Sequence, residues 1–313
     1  MVEEPTTLRR PEESVRRHRA RPSRSRILAR RLVALAFVGA LVALVAGSAW
    51  ALLGRGGEEA APPPVLVAPA PKPLRIIFPE GFTREQMALR IDEVNKIAED
   101  KRNVRPRLAP ERYLALTDGS VRAPKGFLLG TERPPHLEGF LFPATYEFTK
   151  RTTTRQLVNH QLAAFQKNWA QVNLAYARAR NLTRYDVLII ASMVEKEVIA
   201  PEERRLVAAV IYNRLKAGMT LGIDATIRYG LGVPPTESLR QSHLDDPTPY
   251  NTRVHPGLPP TPIANPGLAS MQAAAHPAKV NYLFFVRKPD KIHHFFTASE
   301  REFINYKHAN GYD

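Results

Sequence analysis

The sequence predicts an α+β chain built from an N-terminal transmembrane helix, a small βα subdomain and a mixed α/β domain. Three observations carry this. Residues 32–53 are an uncharged run rich in Leu, Val and Ala, and a helix of about 20 such residues spans a hydrocarbon core of about 30 Å. Apolar residues between positions 153 and 180 recur at alternating spacings of four and three, the period of an amphipathic helix. Short β-prone runs at Leu74–Phe78 and near the C-terminus are bounded by turn-forming residues. The expected divisions are a tail at 1–31, a membrane helix at 32–53, a linker at 54–73, the subdomain at 74–130 and the larger domain at 131–313.

The tail carries ten arginines against four glutamates, and the positive-inside rule places such a segment in the cytoplasm. The rest of the chain is then expected outside a cell membrane that it crosses once. The rival is a cleaved signal peptide, because Ala49-Trp50-Ala51 has the small-x-small form of a cleavage site, although the apolar run exceeds the roughly 7–15 residues of an ordinary signal core. The formal charge is +15, which an anionic membrane surface or wall polymer would attract. No nucleic-acid motif accompanies it, so nucleic acid is not an expected partner. The chain has no cysteine, which excludes thiolate chemistry and disulfides.

Residues 54–73 are rich in Gly, Pro and Ala, a composition that favours an extended spacer. After the run at Leu74–Phe78, Pro79-Glu80-Gly81 reads as a turn, and Thr83 with Gln86 as a capping box opening a helix toward Lys96. No chemistry is expected from this segment itself. Val158, Leu162, Phe165, Trp169, Val172 and Tyr176 predict one helix face over 153–180. Thr183 with Asp186 predicts the N-terminus of a helix running through Val187–Val194 to Val198, apolar nearly all round and therefore buried. Pro201 opens the next helix and Gly218 ends it. The stretch 247–277, full of Pro and Gly, reads as ordered loop and short helix of the kind that shapes binding sites. A hairpin, Tyr282–Val286 with Ile292–Thr297, and a final helix close the chain.

A carboxyl in a nearly all-apolar helix suggests chemistry, because burial disfavours the charged form and a raised pKa suits a general acid near neutral pH. Glu195 and Glu197 both qualify, and periodicity does not choose between them. Either could instead be a solvated or ion-paired residue at the helix end, with Lys196 and Arg204 nearby. His276, His293 and His294 lack metal-ligand spacing, so no metal and no cofactor are expected.

Ordered blocks then add a resemblance. These are LEGFLFPATY from Leu137 to Tyr146, ASMVEKE from Ala191 to Glu197, and YNRL from Tyr212 to Leu215 with Gly218, Met219 and Leu221. DATI from Asp224 to Ile227 follows with Tyr229-Gly230, then PYNT from Pro249 to Thr252, GLPPTPI from Gly257 to Ile263, Asn265-Pro266-Gly267, and AAAHP from Ala273 to Pro277. Over roughly residues 74–310 the chain resembles the MltG (YceG-like) endolytic transglycosylases. Ala225 stands where that family often has proline, and Arg253 where an aromatic is usual.

The resemblance implies a YceG-like catalytic domain preceded by a LysM-like unit at 74–130. It also implies cleavage of the bond between N-acetylmuramic acid and N-acetylglucosamine in peptidoglycan glycan strands. Glu195 maps to the catalytic glutamate, with Glu197 secondary. One carboxyl suffices: it protonates the glycosidic oxygen, an oxocarbenium-like state develops, and the same group takes the proton of the C6 hydroxyl as that closes on C1. The product is a 1,6-anhydro end. Candidate substrate contacts are Glu138, Tyr146, Glu197, Asn213, Asp224, Thr226, Tyr229, Tyr250 and Asn251, which offer aromatic surface, hydroxyls, amides and three further acids. Cell-wall synthetic enzymes are expected partners of an enzyme trimming nascent strands. The competing expectations are a catalytically silent wall-binding scaffold and a muramidase that adds water.

Overall fold

The computed structural model describes residues 24–53, 73–119, 123–127 and 134–312. The chain divides into two units, Met1–Ala70 and Pro71–Asp313. The first 23 residues of the predicted tail and positions 54–72 of the predicted linker lie outside the described residues, as does the expected boundary at 130–131.

In the first unit, α1 runs Arg24–Leu53, eight residues further toward the N-terminus than the apolar run. Its segment Val33–Ala51 has a mean hydropathy of 2.2 and is long and apolar enough to cross a membrane. Nineteen helical residues extend about 28 Å at 1.5 Å per residue. Large apolar side chains such as Phe37, Leu44 and Trp50 are exposed, an all-round apolar surface that suits lipid rather than water.

The second unit begins with β1 (Leu74–Ile77), α2 (Arg84–Arg102), α3 (Pro110–Thr117) and β2 (Thr145–Phe148). The two strands pair antiparallel with Ile76 opposite Tyr146. The predicted capping box is present: Gln86 N–H donates to the Thr83 hydroxyl and Thr83 N–H to the Gln86 side chain. Ile76, Phe78, Met87, Ile91 and Tyr113 are buried between strands and helices. The return strand lies within the expected larger domain, so β1 pairs across the boundary drawn from composition. The buried Tyr113 hydroxyl also donates to Gln161 of α4 (Thr154–Trp169) at 2.8 Å.

The helix expected over 153–180 is two. α4 ends at Trp169, and α5 (Ala175–Arg178) follows a turn. The stripe still faces the core, with Val158, Phe165 and Trp169 buried and Leu162, Val172 and Tyr176 packed against it.

At the centre lies α6 (Arg184–Glu197), whose residues Val187–Val194 are all buried. The Thr183–Asp186 capping box starts it. It packs against α7 (Arg204–Ala217), which follows a 3₁₀ turn at Pro201–Glu203, and against α10 (Leu268–Ala275). Gly218 ends α7 in the left-handed conformation at φ 66°, a backbone state that glycine adopts without steric cost. Between them come α8 (Asp224–Leu231) and α9 (Gln241–Leu244). The hairpin forms as β3 (Phe284–Arg287) and β4 (His294–Thr297), followed by α11 (Glu300–Ala309).

Candidate active site

Three segments distant in sequence meet at the C-terminal end of α6. Ser192 of α6 accepts the Ile263 amide at 3.0 Å and so docks the Pro-rich loop onto the helix. That loop presents Asn265, which exchanges backbone bonds with the 79–82 turn: Gly81 N–H to the Asn265 carbonyl at 2.9 Å and Asn265 N–H to the Phe82 carbonyl at 3.0 Å. Lys196 reaches the Gly81 carbonyl at 3.3 Å. The turn before α2 and the loop before α10 are thus both fastened beside Glu195.

Glu195 is half-buried, and its Oε2 accepts the Gly267 amide at 3.0 Å. That is the one hydrogen bond its carboxylate receives among the described residues. Gly267 caps the N-terminus of α10, the end of a helix at which negative charge is favoured. A Cβ on Gly267 would lie 1.8 Å from a Glu80 carboxylate oxygen, and one on Gly81 would lie 3.5 Å from Glu195 Cγ. Glycine at 267 is therefore a matter of space, and two carboxyls close on one backbone position. Glu80 keeps an exposed face, yet its pKa is raised, first by partial burial and then by the charge of Glu195, with Arg204 opposing.

Glu80 is the residue that sequence reasoning missed. The sequence shows it only as part of a turn, in a segment expected to carry no chemistry, because nothing local reveals that the turn folds against α6. The available signal was the pairing of Pro79-Glu80-Gly81 with a capping box, which marks a tight, ordered loop rather than a solvated one.

Glu197 lies nearly opposite on the helix, since two residues turn about 200°. It is half-buried and faces α8. Burial pushes it up to about 7, opposed by Arg287, whose Nη2 donates to the Glu197 carbonyl at 2.7 Å. Of the two helix-end glutamates that the sequence offered for a burial-raised carboxyl, Glu197 has that environment, and Glu138, outside the helix, has it as well. Face decides the surroundings: Glu197 turns toward α8 and Arg287, and Glu195 toward the 79–82 turn and Gly267.

Glu138 is fully buried. Both its oxygens accept the Arg84 amide at the start of α2, at 3.1 and 3.2 Å, and it also takes bonds from the Asn265 amide and, at 3.4 Å, from the Tyr229 hydroxyl. Burial, then the charge of Glu85, raises it to about 8. Asn265 is equally buried and fully used, its Oδ1 accepting the Gly139 and Leu141 amides at 2.9 Å each. This clasp fixes the loop that carries Gly267.

The other candidates divide. Tyr229 and Tyr250 are half-buried, with ring centroids 5.1 Å apart, and Tyr250 shares a 2.8 Å hydrogen bond with Thr261. They form an aromatic step beside Glu138. Asp224 pairs with Arg253 at 2.6 Å, so the arginine in place of the usual aromatic has an acid to hold. Tyr146 donates to the Phe142 carbonyl and packs on Phe78. Asn213 ties the Val280 and Tyr282 carbonyls. Thr226 and Asn251 are fully buried and bonded to backbone. The donors of these last four are spent on backbone carbonyls within the fold.

His294 donates Nδ1 to the buried Glu203 at 2.6 Å and anchors the hairpin to the 3₁₀ turn, while His293 pairs with Asp290 at 2.9 Å. Among the described residues no group of three or more His, Asp or Glu is placed to hold a metal.

Residues 64–309 match the YceG-like family. The chain is 36% identical over 152 residues to an endolytic murein transglycosylase of Bacillus subtilis, which covers 49% of this chain and 42% of that protein. It is 32% identical over 251 residues to an endolytic murein transglycosylase of Streptococcus pneumoniae, covering 75% of this chain and 43% of that one. The matched part is thus less than half the length of these relatives. The crystal structure of a yceG-like protein from Listeria monocytogenes superposes with a TM-score of 0.63 at 29% identity, covering 75% of this chain and 76% of that one. The chain belongs to the YceG-like family.

Proposed function

We propose that this protein is an endolytic murein transglycosylase, held to a cell membrane by α1, that cuts the N-acetylmuramic acid–N-acetylglucosamine bond of nascent glycan strands. The observation that carries the reading is Glu195: a half-buried carboxylate with a single backbone donor at Oε2, at the end of an otherwise buried helix. A carboxyl so held has a fixed orientation and an oxygen left to exchange a proton with substrate. It donates that proton to the glycosidic oxygen and, as carboxylate, removes the C6 hydroxyl proton while that oxygen closes on C1. Atoms balance without water: the leaving sugar gains the proton and the muramoyl ring keeps its own oxygen as the 1,6-anhydro bridge. Tyr229 and Tyr250 offer a flat edge for a sugar ring.

The arginine-rich tail favours a cytoplasmic N-terminus with residues 71–313 outside. Such an enzyme would end strand elongation where synthetic enzymes act, with the wall polymer rather than nucleic acid as its partner. The β1–α2–α3–β2 unit is the LysM-like part of this reading, closed by β2 rather than ending at residue 130, and its 79–81 turn serves the site directly.

A second reading has its own observation. Hydrolytic glycosidases ordinarily use two carboxyls, and Glu80 beside Glu195 supplies a second acid that sequence reasoning had not found. In a muramidase Glu80 would activate water. The test is digestion of purified sacculi with the full-length chain in detergent. Anhydromuramoyl ends that vanish in Glu195→Gln support the first reading. Reducing ends that vanish in Glu80→Gln establish the second, and full activity in Glu195→Gln overturns both.

A further inference from the structure

A groove of about 520 Å³ runs beside the site and has no part in the chemistry described so far. Its floor is one face of α10: Ala269, Gln272, Ala273 and His276 line it, at the i, i+3, i+4, i+7 spacing of a single helical stripe. Arg204 and Arg205 form one wall, and Gln171 and Asn173 from the turn between α4 and α5 form the other. The groove starts two residues from Gly267, whose amide holds Glu195. Arg204 lies at the junction, since its charge also acts on Glu80.

The lining chemistry is specific. Arg204 Nε donates to Ser270 Oγ at 3.2 Å and Arg205 Nε to the His276 carbonyl at 2.8 Å. Both guanidiniums are thereby held in place by neutral oxygens, with Nη donors that no carboxylate of the described residues approaches within salt-bridge distance. Paired Nη donors recognise a carboxylate in bidentate fashion, and the flanking side-chain amides of Gln171, Asn173 and Gln272 match peptide N–H and C=O groups. Length agrees as well: the eight residues of α10 extend about 12 Å, which about four extended peptide residues span.

We infer that this groove is a subsite for the carboxylate-bearing peptide substituent of the glycan, with Arg205 as its principal carboxylate contact. The inference rests on the reading of the substrate as peptidoglycan. It makes a stemmed muramoyl residue the preferred one at the cutting position, because the groove leads away from Glu195 along α10.

Two measurements on the full-length chain in detergent test it. The first is binding of a free wall-type tetrapeptide with its carboxylates intact, against the same peptide fully amidated. The acid form should bind at least tenfold more tightly. Arg205→Gln should lose most of that difference and Arg205→Lys should keep part of it, while Gln272→Ala should weaken both peptides alike. The second is cleavage of stemmed glycan against strands stripped of peptide by an amidase. Arg205→Gln should raise KM about tenfold on stemmed strands and leave stripped strands unchanged. Equal binding of the two peptides, or an equal loss on both glycans, overturns the subsite. If neither glycan is cut while the acid peptide still binds selectively, the failure lies with the proposed activity and not with the groove.

Discussion

Two carboxyl regions flank the same Pro-rich loop and have opposite economies of hydrogen bonding. Around Glu138 every partner is used: the Arg84 amide, Asn265 and Tyr229 converge on a fully buried acid. Around Glu195 one amide donates and the rest of the carboxylate is open. A buried polar group that is satisfied on all sides builds structure, since leaving its partners unpaired costs about 1–3 kcal/mol each. An orientated but unsatisfied carboxyl at an open helix end is what a reaction can use. The difference teaches that a buried carboxyl can be wholly spent on holding the fold, while a half-buried one keeps an oxygen free.

The comparison can be broken most sharply at Glu195. Glu195→Gln should cut glycan cleavage by about 10²–10⁴-fold, the usual contribution of a general acid–base group, with an unchanged melting temperature. A comparable loss of melting temperature would move Glu195 into the structural class. Gly267→Ala comes next. Its new methyl group meets the Glu80 carboxylate, and displacement of the two acids should lower activity by about 10–100-fold, read as a fall in kcat larger than any rise in KM. Glu138→Ala should behave in the opposite way. It should destabilise by about 3 kcal/mol, through the stranded Arg84 and Asn265 donors, as measured by denaturant unfolding, with a smaller fall in kcat than Glu195→Gln.

A further effect is in pH. Glu138 and Glu197 sit near about 8 and about 7 in the fold, raised by burial from an ordinary value of 4.5. Between those limits the folded chain holds protons that the unfolded chain has released, so stability falls as pH rises from about 4.5 to about 8 and then levels. The melting temperature should drop across that window. Glu138→Gln, which cannot titrate, should flatten the slope.

Much of this was legible in the sequence, for local reasons. The apolar run of α1, the capping boxes at Thr83 and Thr183 and the buried stretch Val187–Val194 follow from composition and period over a few residues. The break between α4 and α5 was not legible, because Val172 and Tyr176 continue the stripe across a turn and the apolar face alone cannot show that the backbone leaves the helix. The pairing of β1 with β2 was equally hidden: strands some seventy residues apart carry no mutual signal in one sequence. The site was half readable for the same reason. Glu195 came through its motif, whereas Glu80 reaches the site only because a turn 115 residues upstream hydrogen-bonds to Asn265 and Lys196. Asn213, Thr226 and Asn251 show the converse. Their amides and hydroxyls suit a sugar as well as they suit a carbonyl, and only the fold reveals that carbonyls have taken them.

The most direct test of the account is the origin of the oxygen at the new muramoyl end. Sacculi should be digested by the full-length protein in heavy-oxygen water and the products weighed. Closure by the ring's own C6 hydroxyl predicts anhydromuramoyl ends with no heavy oxygen incorporated. Reducing ends carrying heavy oxygen at C1 would contradict it and would assign Glu80 the activation of water.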